Sequence, residues 1–580
     1  MPASDPSPND AVNNAPPPSE RAPMVSWFDP AQLLRTGLQV VVSTMFGKSA
    51  DRRILDAIVH PNVQPCHRET GEELWIDYVS DTGDGWNSTY AVAHAVSQPE
   101  LEVAHEGQHV RTKRGTLLVF GGDEVYPTPT REAYRRRFIA PYRTAFPQTG
   151  DASHWVFAVP GNHDWYDSLV AFSRLFCSEN GRNIGARRTS QTLSYFAVEL
   201  PHDWWLIAID VQLESDIDEP QLKYFRELVQ RENIPETARI ILCVSEPEWI
   251  YEALYARYDP AVSERNLDYL EQTVFGDRVV VYLAGDLHHY RRHATANDER
   301  QKITAGGGGA FLHPTHGDEA LVATVSHDYQ YKASFPAPAE SRALAWRYLL
   351  FARLNPKFGV ATAVVYLLLA WAVKADVGHA GISQWKGVLH DVAGAVLGSQ
   401  IAVLWAALLF FGFFFFTDTH SKQYKLWGGL THATSHLLAA FSIGWFALWA
   451  TVTHVAPRFD PILQLLITGA IILVAGYVVG PVIMGIYLLV SLNVFGRHSG
   501  EFGAIHHEHF KSWLRLHITP EGALTIYPIG IRTVPKRWRD NPARSDASPS
   551  LLVPDDERAT APELIEQPIV VRGGARDRAR

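Results

Sequence analysis

The chain has 580 residues, too many for one hydrophobic core, so at least two domains are expected. Its formal net charge of -10 supplies no basic face to neutralise phosphates, which argues against a nucleic-acid partner. Three widely spaced cysteines, Cys66, Cys177 and Cys243, lack any CxxC or Cys/His ligand spacing and read as buried small hydrophobes in a reducing compartment.

Residues 1–24 are rich in Pro, Ser, Asn and Ala without a basic region followed by an apolar one, which predicts a disordered leader and not a signal peptide. Leu33 to Phe46 is apolar but short and interrupted by Arg35, as suits a docking helix. From there to about residue 345 short apolar runs each end in a polar cluster. They are Trp75–Val79, Thr116–Phe120, Trp155–Val159, Trp204–Ile209, Ile240–Val244 and Val279–Leu283. Such β-rich runs, with a helical pattern at Gln221–Gln230 between two of them, predict an α/β domain over 25–345 with a largely buried sheet. Polar clusters just past strand ends are where open α/β sheets place ligands.

From Phe358 to Phe495 charges nearly vanish, and apolar segments near 358–374, 392–416, 430–453 and 461–495 predict an all-α transmembrane bundle of about four spans over 357–496. The last segment holds 35 uncharged residues, about 52 Å as a helix against a hydrocarbon core of ~30 Å. Gly480-Pro481 breaks it near the middle, leaving either one kinked helix or two short passes, hence four spans or five. His432, Ser435 and His436 are polar groups inside a span and imply helix contacts or a watery cavity.

With four spans both bundle ends lie on one side. Arg342, Arg347, Arg353, Lys357, Lys422, Lys425 and Arg497 flank that side against Lys374, Lys386 and Arg458 on the other, a bias of seven to three that makes it cytoplasmic in a cell (inner) membrane. Beyond the bundle, alternation on both sides of Thr519-Pro520-Glu521-Gly522 predicts a β-hairpin region over 500–537, and composition predicts a disordered tail over 538–580.

Four clusters carry chemistry: Ser80-Asp81-Thr82-Gly83-Asp84-Gly85, Gly121-Gly122-Asp123-Glu124-Val125-Tyr126, Pro160-Gly161-Asn162-His163-Asp164 and Gly285-Asp286-Leu287-His288-His289-Tyr290. Two divalent cations need a bridging carboxylate, terminal carboxylate or imidazole ligands and open positions for water and substrate. Asp123 after two glycines suits the bridge, Asn162 offers a neutral carbonyl, and His163 titrates in the range a leaving alkoxide requires.

In this order the clusters resemble the calcineurin-like metallophosphoesterase superfamily over roughly residues 70–320, in a membrane-linked branch with Gly-Gly-Asp-x-Val-Tyr-Pro, Gly-Asn-His-Asp-Trp and Gly-Asp-Leu-His-His-Tyr. The resemblance implies a four-layer αββα sandwich with two divalent metal ions, drawn from Mn, Mg, Fe or Zn, at the strand ends. It implies Asp81 and His288 on the first metal, Asp123 bridging, Asn162 on the second, and His163 as the catalytic histidine. The implied activity is hydrolysis of a phosphate mono- or diester by metal-activated water, on a phosphorylated small molecule or lipid.

The pattern departs from the family at three imidazoles: Gly83 stands in the first motif, Ser245-Glu246 after the next-to-last strand, and Asp286 before His288. Asp286 can ligate through oxygen, with Asp84 or Glu246 compensating, which shifts preference toward Mg²⁺ or Mn²⁺. His313 and His316, after the glycine run Gly306–Gly309, are further ligand candidates, and Arg291 and Arg292 are candidates for substrate phosphate. The alternative is a phosphoesterase domain without turnover, serving as a membrane-tethered metal- or phosphate-binding sensor or scaffold.

Overall fold

A computed structural model describes residues 15–47, 67–146, 154–178, 180–211, 216–255, 265–317, 324–326, 329–374, 394, 396–417, 422–455, 459–497, 502–556 and 561–573. Residues 1–14 of the expected leader, Cys66, Lys386, Arg458 and residues 574–580 of the tail lie outside them.

All six apolar runs are strands: β1 (Leu74–Val79), β2 (Leu117–Phe120), β3 (Trp155–Ala158), β4 (Trp204–Ala208), β5 (Arg239–Val244) and β6 (Val279–Ala284). Nearly every residue in them is buried on both faces, which is why they read as unbroken hydrophobic runs and not as alternation. The predicted helix is Glu219–Arg231, its first turn capped by the Asp218 side chain accepting from the Gln221 amide.

Among the described residues the strands form two nine-stranded sheets of mixed direction and two small two-stranded ones. In the first, β1, β2 and β3 run parallel. In the second, β4, β5 and β6 do the same. One core, including Ile76, Val119, Phe157, Leu206, Ile241 and Val281, joins the two sheets face to face. A second core packs helices such as Trp86–Ser97 on the outside of the first sheet, and a third packs Glu219–Arg231 on the outside of the second.

The hairpin expected after the bundle exists as β7 (Lys511–Ile518) and β8 (Leu524–Ile531), but it is no separate region. β7 lies antiparallel against β1, with Leu514 opposite Tyr78 and Leu516 opposite Ile76, so the first sheet is completed from the far end of the chain. Arg515 fastens this seam: its Nε donates to Asp77 Oδ1 at 2.7 Å, with both side chains fully buried. The tail is also ordered where it is described, since Glu563–Leu564 and Ile569–Val571 pair with β8. The described part of the leader packs too, Ala22 accepting from the Trp86 amide at 2.8 Å. Both segments lack a core of their own and take one from the domain, which composition alone does not reveal.

The apolar segments are helices α2 (Pro356–Lys374), α3 (Gln400–Phe416), α4 (Lys422–Ala450) and α5 (Pro461–Asn493), preceded near the N-terminus by α1 (Pro30–Gly47). Among the described residues three helices are long and apolar enough to cross a membrane, while α3, with 17 residues, is apolar but shorter. Of the 461–495 segment, Pro461–Asn493 is one continuous helix containing Pro481, so the two-pass alternative does not hold. Small residues let α2 and α5 touch: a Cβ at Gly476 would come within 2.9 Å of Ala363 Cα, and one at Gly480 within 2.5 Å of Thr362 Oγ1.

Candidate metal centre

The site clusters follow β1, β2, β3, β5 and β6, so parallel strand ends deliver them to one edge of the paired sheets. Asp81, Asp123 and Asp286 all turn the chain with positive φ, 59°, 51° and 63°. Strained backbone of this kind at non-glycine residues gathers at functional sites. Backbone bonds lock the loops together, from Asp81 N–H to Gly122 O at 2.9 Å and from Thr82 N–H to Asp123 O at 3.0 Å.

Asp81, Asp123 and His288 converge as a buried group whose ligand atoms lie within 4.8 Å of one another. At its centre is the Tyr126 hydroxyl, 3.0 Å from Asp81 Oδ1, 2.9 Å from Asp123 Oδ2 and 2.9 Å from His288 Nε2. A phenol has one proton to donate and three acceptors here. His288 Nδ1 faces the Phe311 carbonyl at 2.8 Å and therefore carries hydrogen, which turns the Nε2 lone pair toward the group.

The electrostatics favour neutralisation of the carboxylates, by a proton or by a cation. Burial raises Asp81 to about 7, against opposing hydrogen bonds from Ser80 and Tyr126. Burial, and then repulsion from Asp81, Asp164 and Asp286, holds Asp123 well above the ordinary carboxylate range. A buried oxygen-rich set with one imidazole fits a hard divalent ion, so these residues could hold one.

The other predicted residues divide. Asn162 opens a short helix and is exposed at the rim, and His163 beside it is half-buried. The His163 amide donates to Asp123 Oδ1 at 2.8 Å and its Nδ1 to the Pro127 carbonyl at 2.9 Å, which assigns proton exchange to Nε2. Asp286 adjoins the group: its amide donates to both Asp81 oxygens, while its carboxylate accepts from the Tyr251 hydroxyl. The His313 ring lies 3.9 Å from that of His288, and Glu246 is half-buried just past β5.

Asp84, His316, Arg291 and Arg292 are built into the fold. Asp84 accepts from the amides of Val25 at 2.8 Å and Phe311 at 3.1 Å. His316 bridges Ser341 and Asn493, each at 2.7 Å. The Arg291 guanidinium donates to the Thr315 carbonyl, and that of Arg292 is forked by Glu566 and also reaches Asp298. The structure commits both arginines to internal partners and does not bring them to the centre as phosphate ligands, because strand burial turns them inward. Gly306–Gly309 is a close-packed turn, where a Cβ on Gly306 would sit 2.6 Å from Asp81 Oδ2.

Gly83 has a steric cause. At φ +59° its Cβ would come within 2.1 Å of the Glu124 carbonyl, so a histidine side chain has no room at this position. Tyr126 is the residue that the motif reading passed over. Its signal was present in Gly-Gly-Asp-x-Val-Tyr, where a tight turn brings a side chain three residues on back over the aspartate.

No family model and no curated protein sequence matches the chain. Solved structures similar to parts of it include the following two. GAP50, the anchor in the inner membrane complex of Plasmodium, is 15% identical over 41% of this chain and 72% of its own, with a TM-score of 0.27. PhoD is 11% identical over 46% of this chain and 63% of its own, with a TM-score of 0.28. At that level neither likeness bears on function.

Proposed function

We propose that the chain is a metal-dependent phosphoesterase, its two sheets and outer helices forming a four-layer αββα sandwich fixed to a membrane bundle. The observation that carries this reading is the convergence of Asp81, Asp123 and His288 on the Tyr126 hydroxyl. In the proposal Asp81, Asp123 and His288, each bonded by the Tyr126 hydroxyl, would hold one divalent ion, and Asp123, Asn162 and Asp286 would hold a second of the same hard class. Bound ions would neutralise the phosphate oxygens and lower the pKa of water.

The chain's own residues do the rest. Asp123 orients the His163 backbone, the Pro127 carbonyl accepts from Nδ1–H, and the imidazolium form of His163 would give its Nε2 proton to the departing alkoxide. Asp164 braces the turn by accepting from the Gly161 amide at 3.0 Å and the Tyr134 hydroxyl at 2.6 Å. The domain would face the cytoplasm, on the side favoured by the flanking cations.

A second reading has support in Gly83, whose packing leaves the first motif without its imidazole. On that reading the domain binds metal or phosphate as a scaffold without turnover. Metal content of the purified full chain, measured with hydrolysis of an activated phosphoester, separates the two. The enzyme reading expects bound metal and turnover in the parent, loss of both in Asp123→Asn, and loss of turnover alone in His163→Ala. Absence of metal, or activity that survives Asp123→Asn, would sink it, and metal without turnover selects the scaffold.

A further inference from the structure

We propose that the phosphate ester handled at this centre belongs to a membrane lipid and is presented at the bilayer surface beside Trp27. This rests on the phosphoesterase reading and names the class of its substrate.

Three consecutive residues join the centre to the membrane bundle. The Trp27 ring packs edge-on against His163 and Tyr126, each at 5.9 Å between centroids, and against Phe311 at 5.1 Å. Phe28 enters the bundle end, 5.2 Å from Phe351, 5.8 Å from Phe416 and 6.5 Å from Phe358. Asp29 then pairs with Lys357, the second residue of α2, at 2.6 Å. Three extended residues span about 10 Å at most, so the rim of the centre stands within that reach of the start of a span. A bilayer's headgroup layer is about 5–8 Å deep beyond the hydrocarbon, and a lipid phosphate lies in it.

A second bridge starts from Phe311, which Trp27 also touches. His288 rests on the Phe311 carbonyl, the next residue Leu312 is buried with Met484 and Leu488 of α5, and His316 bonds Asn493, where that helix ends. The link into α2 is packed as well, with Tyr348 and Phe351 buried at the bundle end. The domain is therefore seated on the bundle through two packed connections.

The surface around this seat is apolar and cationic. Leu34 of α1 is 65% exposed and Leu38 58%, while Trp346, at 60%, and Leu349 and Leu350 project just before α2. Arg35, Arg353 and Lys357 stand exposed among them. Exposed leucine and tryptophan with interspersed cations, continuous with membrane-crossing helices, are the composition of a surface lying in the headgroup layer of an anionic bilayer. The occupant of this collar is the lipid surface itself, and an ester confined to that surface meets the rim of the centre directly.

In the reaction, water forms a P–O bond as the P–O bond to the lipid breaks, and the lipid alkoxide takes up a proton. A monoester yields lipid alcohol and inorganic phosphate; a diester yields one alcohol and a phosphate monoester.

The full chain is reconstituted in phosphatidylcholine vesicles carrying phosphatidic acid or phosphatidylglycerol. Glycerol 3-phosphate and glycerophosphoglycerol serve as the water-soluble counterparts of the same esters. The expected kcat/KM for one lipid exceeds that for its soluble counterpart by roughly tenfold or more, and the ratio falls about tenfold in Leu34→Glu/Leu38→Glu, which removes two apolar contacts from the collar. Equal or faster turnover of the soluble ester, or a ratio unmoved by the double variant, overturns the lipid assignment and leaves the esterase standing. If neither member of either pair is hydrolysed by metal-loaded protein, the phosphoesterase reading fails and this assignment fails with it.

Discussion

The Tyr126 hydroxyl and His288 Nε2 meet at 2.9 Å in a buried group with Asp81 and Asp123, so a side chain from the loop after β2 stands where residues of three loops converge. Removing that hydroxyl while keeping the ring tests whether it belongs to the metal centre. Tyr126→Phe should weaken metal binding about 10- to 100-fold, the range seen when a group in contact with ligands is lost. Folding should change little, because the ring still packs against Trp27 and His163. Titration calorimetry with Mn²⁺ or Mg²⁺ reads the change, and an unaltered affinity would place Tyr126 outside the centre.

Gly83 offers a test in the opposite direction. If the missing imidazole were a simple loss, Gly83→His would restore a ligand and raise metal occupancy. The Cβ, however, would meet the Glu124 carbonyl at 2.1 Å in a backbone with φ +59°. The expected outcome is lower occupancy and a less stable fold, by about 1–3 kcal/mol or more from strain and displaced backbone. Metal content and the thermal midpoint are measured together; increased occupancy at unchanged midpoint would show that the loop can yield.

What the sequence revealed follows from which forces act locally. Strands β1 to β6 were legible because burial on both faces prints as uninterrupted apolar runs, and Asp81, Asp123 and His288 were legible because each follows such a run. The hairpin β7–β8 was visible in its alternation, but its pairing with β1 depends on partners more than 400 positions apart, such as Arg515 and Asp77. Period and composition carry no record of that distance. Tyr126 was missed for another reason: its role is set by the hydroxyl's position in space, and a tyrosine in an apolar turn ordinarily reads as packing.

That seam makes its own prediction. Arg515→Ala leaves Asp77 buried with the Gly115 amide, at 2.8 Å, as its remaining hydrogen bond among the described residues and with the charge of the buried Arg187 nearby. Breaking a buried pair from one side costs about 3–5 kcal/mol, whereas replacing both members with apolar residues costs far less. Arg515→Met/Asp77→Leu should therefore recover much of the loss in a denaturant series. Equal destabilisation by the single and double variants would mean that the seam depends on the ion pair itself and not on the charge left behind.

Acid should loosen the strap that the C-terminal segment lays over the helix Trp86–Ser97. His94 Nδ1 lies 2.9 Å from Ser550 Oγ, Ser97 Oγ reaches the same hydroxyl at 2.9 Å, and the Tyr90 hydroxyl donates to the Leu552 carbonyl at 2.9 Å. Burial lowers His94 from its ordinary 6.5 to about 4. Between those values the unfolded chain binds a proton that the folded chain does not, so stability rises with pH across that window. The contribution is complete above pH 6.5 and is lost as pH falls through about 4. Hydrogen exchange at residues 541–552 should accelerate as the medium is taken from pH 7 toward 4, after correction for the intrinsic rate. His507 and His509 are depressed in the same direction by burial, so the global transition keeps part of its pH dependence in any single variant. His94→Gln, which cannot gain a proton, should flatten the local response at Ser550 while leaving that remainder. A strap whose exchange accelerates equally in His94→Gln would show that the acid sensitivity originates elsewhere.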